Sequence, residues 1–234
     1  MSSIELIKIK VHGITNSFRI PFHMTVHDTL TLPPKTTIIG MLGAALGYSR
    51  ADPNLMALYN DTHIGILGFS KAKYYDLMSI YKLKPEATKS QLQRQINYDN
   101  SYIIYIENSR NLDEIYKALK NPVYALSLGK AHEIVNISEI SRIERETIES
   151  DYINVSNTML PFQVNDFDIS EINEGTIAPF ISVQIPLSFS IKNGYREPEN
   201  FCKVTEIMNL KLKIKRLGYV AIYDDDYDAD VILY

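Results

Sequence analysis

The residues of this chain best placed to do chemistry stand at the entrance to one helix. Residues 29–50 carry Pro33-Pro34-Lys35-Thr36-Thr37 immediately before an apolar run. Proline cannot continue a helix backwards, and a threonine hydroxyl can accept from one of the first unpaired N–H groups, so a helix is expected to begin near Thr36. The free N–H groups and the helix dipole at such an end attract negative charge, and Lys35 adds a full positive one. Pro34, Lys35, Thr36 and Thr37 are therefore expected to form an anion site.

The helix behind them is unusual. Gly40, Gly43 and Gly47 each cost a helix about 1 kcal/mol relative to alanine. With Ala44 they fall at i, i+3, i+4 and i+7, one smooth stripe suited to a surface that comes very close, most simply a β-sheet. A tightly packed core helix accounts for the stripe by itself, and the entrance residues are what point to function.

Other reactive side chains offer less. Cys202 is the only cysteine among 234 residues, which excludes an intrachain disulfide and a cysteine-based zinc site within one chain and fits a reducing interior. Asp224, Asp225, Asp226, Asp228 and Asp230 crowd into seven positions but lack the glycine and terminal glutamate of a calcium loop. The simpler account is a solvated acidic tail or one facing a basic partner. No metal and no cofactor is expected. His12, His23, His27 and His63 are single histidines, expected to be structural or exposed.

Composition is that of a globular protein, 45% hydrophobic and 22% charged. There is no basic segment followed by a long apolar block at the start, and residues 38–46 are too few to span a bilayer, so a cytoplasmic protein with no membrane partner is expected. The net charge of −4 is unevenly spread: residues 1–150 hold 17 Lys and Arg against 15 Asp and Glu, whereas residues 151–234 hold 7 against 13. A phosphate-binding N-terminal part is permitted.

The positioning elements follow from periodicity. Residues 4–12 read as a first strand, residues 17–22 as a short extended segment containing Arg19, and residues 53–59 as a short helical piece after the glycine helix. Residues 63–69 and 71–84 read as strands. Residues 85–100 are polar and glutamine-rich. They read either as a solvated loop or as a protruding arm whose Lys89, Gln91, Gln93, Arg94 and Gln95 reach for a partner, since sixteen mostly polar residues are long for an idle connection. Residues 101–107 form a strand and residues 111–121 a helix with acids first, lysines last and Pro122 as its stop. Residues 123–128 are expected to be a strand ending in Gly129-Lys130-Ala131-His132-Glu133. The order strand, helix, strand, strand, helix, strand predicts an α+β fold, a ferredoxin-like (RRM-like) βαββαβ core with both helices on one face of an antiparallel sheet. Strands within residues 135–148, 181–191 and 204–214 belong to a β-rich C-terminal part, as an appendage or as extensions of the first sheet. Residues 1–150 are expected to form one domain and residues 151–234 a C-terminal extension.

Residues 32–47, Leu-Pro-Pro-Lys-Thr-Thr-Ile-Ile-Gly-Met-Leu-Gly-Ala-Ala-Leu-Gly, resemble the N-terminal signature of the Cas-five family of CRISPR-associated proteins, within the RAMP superfamily. Residues 121–133, Asn-Pro-Val-Tyr-Ala-Leu-Ser-Leu-Gly-Lys-Ala-His-Glu, resemble its glycine-rich loop. The resemblance covers about the first 150 residues. It implies a ferredoxin-like core with a thumb hairpin, here at about residues 84–100, and an antiviral-defence role as the Cascade subunit that caps the 5′ handle of the crRNA. Its partners would be the backbone and large subunits and, in the assembled complex, target DNA. On that reading the RNA-binding residues are Arg19, Pro34, Lys35, Thr36, Thr37, Lys89, Gln93, Arg94, Gln95, Gly129, Lys130 and His132. Lys35 and its helix end bind phosphate or a terminal hydroxyl, Gly129 lets the RNA backbone approach, and Tyr48, Tyr98 or Tyr102 stack on a base. One branch of the family is a metal-independent endoribonuclease, so that activity is the alternative, with Tyr48, Lys130 and His132 as the candidates for acid–base work. The expectation is a non-catalytic subunit.

Overall fold

A computed structural model describes residues 2–82, 88–165, 167–172 and 181–234. Lys84 and residues 85–87 of the expected arm lie outside the described residues. In chain order the elements are β1 (Ser3–Asn16), the short β2 (Phe18–Arg19), β3 (Val26–His27) and β4 (Thr29–Leu30), helices α1 (Lys35–Leu46) and α2 (Pro53–Asp61), and the long strands β5 (His63–Lys82) and β6 (Thr88–Glu107). They continue with α3 (Leu112–Lys120), β7 (Val135–Glu146), β8 (Tyr152–Leu160), β9 (Phe167–Ile172), β10 (Ile181–Lys192), β11 (Tyr195–Lys215), β12 (Val220–Asp224) and β13 (Ala229–Leu233). The result is a mixed fold dominated by strands. No helix among the described residues is long and apolar enough to cross a membrane.

Among the described residues one sheet runs in the order β10-β11-β8-β5-β6-β1-β7, with β9 beside β11 and β3 beside β6. All its pairs are antiparallel except β3 with β6. The C-terminal strands thus extend the first sheet, the second of the two arrangements the periodicity allowed. Both faces of its centre are covered. Ile7, Ile9, Ile64, Ile66, Ile104 and Ile106 pack with Ile38, Ile39 and Leu42 of α1, Leu55 and Leu58 of α2, and Ile115 and Leu119 of α3. Leu6, Leu67, Ile103 and Tyr105 face the other way, against Ile222, Val231 and Leu233 of the β12–β13 hairpin. A strand buried on both sides reads as a continuous apolar run, which is why Ile103-Ile104-Tyr105-Ile106 does not alternate.

The acidic C-terminal stretch is not a free tail: Asp224 is buried, and the exposed Asp225, Asp226 and Asp228 are each paired. The turn between β12 and β13 lays its carboxylates on the sheet's own cations: the Lys8 ammonium donates to Asp224 and Asp226, each at 2.9 Å, and Lys10 pairs with Asp226 at 3.0 Å. Arg145 pairs with Asp225 at 3.0 Å and Lys211 with Asp228 at 2.7 Å. Tyr105 also donates its hydroxyl to the fully buried Asp224.

One other expectation is overturned, and one pair of alternatives is decided. Residues 123–128 form no strand. They cross back as an irregular segment, with Val123 N–H donating to Ala45 O at 3.0 Å and Tyr124 N–H to Ala44 O at 3.3 Å, and the fourth core strand is β7. The glutamine-rich stretch is no loop, because its described part from Thr88 onward pairs with β5 in unbroken register as far as Lys82 opposite Thr88. A strand needs only a partner's backbone, and this outer part of the hairpin meets no core that would demand apolar side chains.

The glycine stripe does not seat α1 on the sheet. A Cβ on Gly43 would sit 2.6 Å from Leu55 Cδ1 of α2, one on Gly40 meets nothing within 4 Å, and Gly47 at φ 80 closes the helix. Gly47 N–H bonds Ala44 O at 3.2 Å and Tyr48 N–H bonds Gly43 O at 2.8 Å, the paired bonds of a Schellman turn.

Candidate nucleic-acid interface

Helix α1 begins at Lys35 with Pro34 as its cap residue and no side-chain cap. Neither threonine hydroxyl caps it, contrary to expectation. The approach is held from a distant strand instead: the buried carboxylate of Glu206 on β11 accepts from Leu32 N–H at 2.6 Å. Burial raises the Glu206 pKa, opposed by the Lys73 charge and by backbone donation from Leu32 and Thr31. Lys35 is only 7% exposed, and burial pushes its pKa down to about 8. No ion pair of its ammonium occurs among the described residues. A largely buried lysine at the positive end of a helix favours the approach of an anion.

A second site forms around residues 126–134. Ser127 bridges to Ile134, Leu128 N–H donates to Glu133 O at 3.1 Å, and the Glu133 carboxylate binds Ser17 N–H at 3.0 Å, Ser17 Oγ at 2.6 Å and Lys130 N–H at 2.7 Å. Asn16 Nδ2 adds a bond to Leu128 O at 2.7 Å, and Asn100 Nδ2 one to Asn16 Oδ1 at 2.9 Å. Gly129 has φ 106, and a Cβ there would lie 2.1 Å from Glu133 Oε2 and 2.7 Å from Ser17 O. The close approach at this glycine is made by the protein itself, to the carboxylate that fixes the loop.

So fixed, the loop aims Lys130 at the β5–β6 hairpin, its Nζ 3.9 Å from Met78 Sδ. Asp76 shares that face two residues away, opposite Arg94, which it pairs with at 2.9 Å. The Lys130 pKa is lowered by burial and then by Arg94, with Arg19 adding to the effect and Glu133 and Asp76 opposing it. Arg19, Arg94 and Lys130, from β2, β6 and the loop, thus converge. A fourth group that sequence reasoning set aside joins them: β3 runs parallel to β6 with His27 opposite Arg94, and burial, then Arg19 and Lys130, lower its pKa. Only the pairing of β3 with β6 brings His27 here, so local sequence carries no signal for it.

The other expected residues stand elsewhere. Lys89, Gln93 and Gln95 alternate with Arg94 and face the opposite side of the hairpin, where Leu77 and Tyr81 are 60% and 68% exposed. Gln95 is held there by Thr29 N–H at 3.3 Å. His132 is exposed on the loop itself. Lys35 stands at the start of α1, whereas Lys130 stands on the loop that meets the β5–β6 hairpin. Tyr48 has its pKa raised by burial, then by Glu114 and Asp52, none of which acts on Lys130. Tyr102 is no stacking surface: it is buried, donates to Thr31 O at 3.1 Å and packs edge-on against Phe18. Tyr98 remains half-exposed beside Tyr74.

Among solved structures, the fold is similar to a chain of a "CRISPR RNA-guided surveillance complex", with a TM-score of 0.56 and 16% identity over 86% of this chain and 90% of that one. It is also similar to a CRISPR protein from Archaeoglobus fulgidus, with a TM-score of 0.54 and 11% identity over 98% and 99% of the two chains. At these identities the likeness is one of fold. Comparison with curated protein sequences returned no match. Residues 6–197 match the family model described as CRISPR-associated protein (Cas_Cas5), and with most of its length inside that match the chain belongs to this Cas5 family of CRISPR-associated proteins.

Proposed function

We propose that this protein is the RNA-binding subunit of a CRISPR effector complex of the Cascade type, gripping the 5′ handle of the crRNA without cutting it. The observation that carries this reading is the convergence of Arg19, Arg94 and Lys130 where a glutamate-pinned loop meets the long hairpin. Cations gathered from three elements onto a rigid frame suit a phosphodiester backbone, and the separate Lys35 entrance suits a second phosphate or a terminal group. Sheet order β7-β1-β6-β5 is that of a ferredoxin-like core, and the outer β5–β6 hairpin, residues 72–82 with 88–98, serves as the thumb. Residues 1–150 form the RNA-binding part and residues 151–234 the extension that widens the sheet. The backbone and large subunits are the protein partners.

Two experiments test this. Co-expressed with guide RNA and the other complex subunits, the protein should co-purify with both, and failure to retain either removes the proposal. Incubated alone with labelled repeat RNA in EDTA it should leave the RNA whole, and a single cut abolished by His132→Ala would establish the endoribonuclease alternative instead.

A further inference from the structure

His27 is half-buried, and its ring makes no hydrogen bond among the described residues. The groups around it come from four elements. Arg94 stands opposite it on β6 and is paired with Asp76 on β5, Arg19 lies on β2, and the loop contributes Lys130 and Glu133. Each nearby acid is engaged elsewhere: Asp76 with Arg94, Glu133 with Ser17 and the Lys130 N–H, and Asp28, the next residue in the chain, with His23 at 2.6 Å. Among the described residues no carboxylate bonds the His27 ring, so an arriving anion would supply its counter-charge.

Resting on the reading of this protein as an RNA-binding subunit, we infer that Arg19, His27, Arg94 and Lys130 form one phosphodiester-binding site in which His27 takes up a proton from solvent as the phosphate binds. In the free protein the surrounding cations and burial keep the ring neutral. A phosphate anion among the same groups reverses that balance and makes the imidazolium a fourth donor. RNA affinity then rises as pH falls, in step with the charging of one histidine.

The test is binding of labelled repeat RNA at fixed ionic strength between about pH 8 and about pH 6, for the parent protein, His27→Gln and Lys130→Ala. The parent should bind about threefold to tenfold tighter at the lower pH, as expected for uptake of up to one proton. His27→Gln should melt like the parent and lose that dependence, whereas Lys130→Ala should bind more weakly at both values. If His27→Gln keeps the parental pH profile while Lys130→Ala loses affinity, the proton-coupled role is wrong and the RNA site stands. If neither Lys130→Ala nor Arg94→Ala changes affinity, the cluster is not the RNA site and the broader proposal falls with it.

Discussion

Lys35→Met should make the protein more stable and a poorer RNA binder. Burial lowers the Lys35 pKa from 10.5 to about 8, and each tenfold change in proton affinity corresponds to about 1.4 kcal/mol, so the folded state holds this charge at a cost of about 3 kcal/mol. The cost is present in full below about pH 8, where folded and unfolded forms are both charged. It fades as pH rises toward 10.5, because the unfolded chain still binds the proton that the folded one has released. Methionine keeps the unbranched reach of the side chain as far as Cε without the charge. In urea unfolding at pH 7 the variant should gain about 1 to 3 kcal/mol over the parent, and the gain should shrink by about pH 10. Binding of repeat RNA should weaken, with the slope of log affinity against log salt reduced by about 0.7, the signature of one lost phosphate contact on a single strand. A variant less stable than the parent at pH 7, or a gain that persists unchanged into alkali, would refute the burial argument. An unchanged affinity and salt slope would remove Lys35 from the anion site.

Three further outcomes follow from particular contacts. Lys8→Met strips the fully buried Asp224 of its cation and should cost about 3 to 5 kcal/mol in urea unfolding, while adding Asp224→Asn should recover part of the loss because no unpaired charge then remains. Gly129→Ala drives a Cβ into Glu133 at a positive φ and should cost about 1 to 3 kcal/mol; amide exchange at Ser17 and Lys130 should speed up, and RNA affinity should fall with it. The helix glycines should separate: Gly40→Ala, facing open space, should raise stability by about 0.5 to 1 kcal/mol, whereas Gly43→Leu, against Leu55, should lower the melting temperature.

What the sequence made legible was local. Pro33-Pro34 ahead of an apolar run placed the start of α1, and acids, lysines and Pro122 bounded α3, because caps and stops act within a few residues. By their own residues the arm and a solvated loop could not be told apart, because residues 88–100 owe their strand to β5 rather than to any alternation, and only the family resemblance pointed to a hairpin there. Residues 123–128 show the opposite error. Leu126 and Leu128 alternate like a strand, yet they fill the core beneath a loop whose path is set by Glu133 and Ser17, partners 116 positions apart. The candidate site divided in the same way. Arg19, Arg94 and Lys130 were nameable as cations, but their convergence and the arrival of His27 depend on strand pairings between distant segments.

The same logic explains why a net charge of −4 says so little about this protein's partners. The aspartates of the β12–β13 turn account for much of the negative total, and the structure places them on Lys8, Lys10, Arg145 and Lys211. Lys8 lies beside Leu6 on the face of the sheet covered by the C-terminal hairpin, whereas the loop that carries Lys130 is anchored through Leu126 and Leu128 in the core on the helical face. The acids of the turn therefore pair with cations of the covered face, whereas at the hairpin base Arg94 is paired with Asp76 and Arg19 and Lys130 make no ion pair among the described residues. Screening by salt confines exposed charges to within about 8 to 10 Å of their effect, so an approaching phosphate responds to Arg19, Arg94 and Lys130 and hardly at all to the distant turn. Charge read as a sum argued against nucleic acid; ion pairing removes both signs equally and leaves the sum as it was, so what a phosphate meets is decided by where the cations stand.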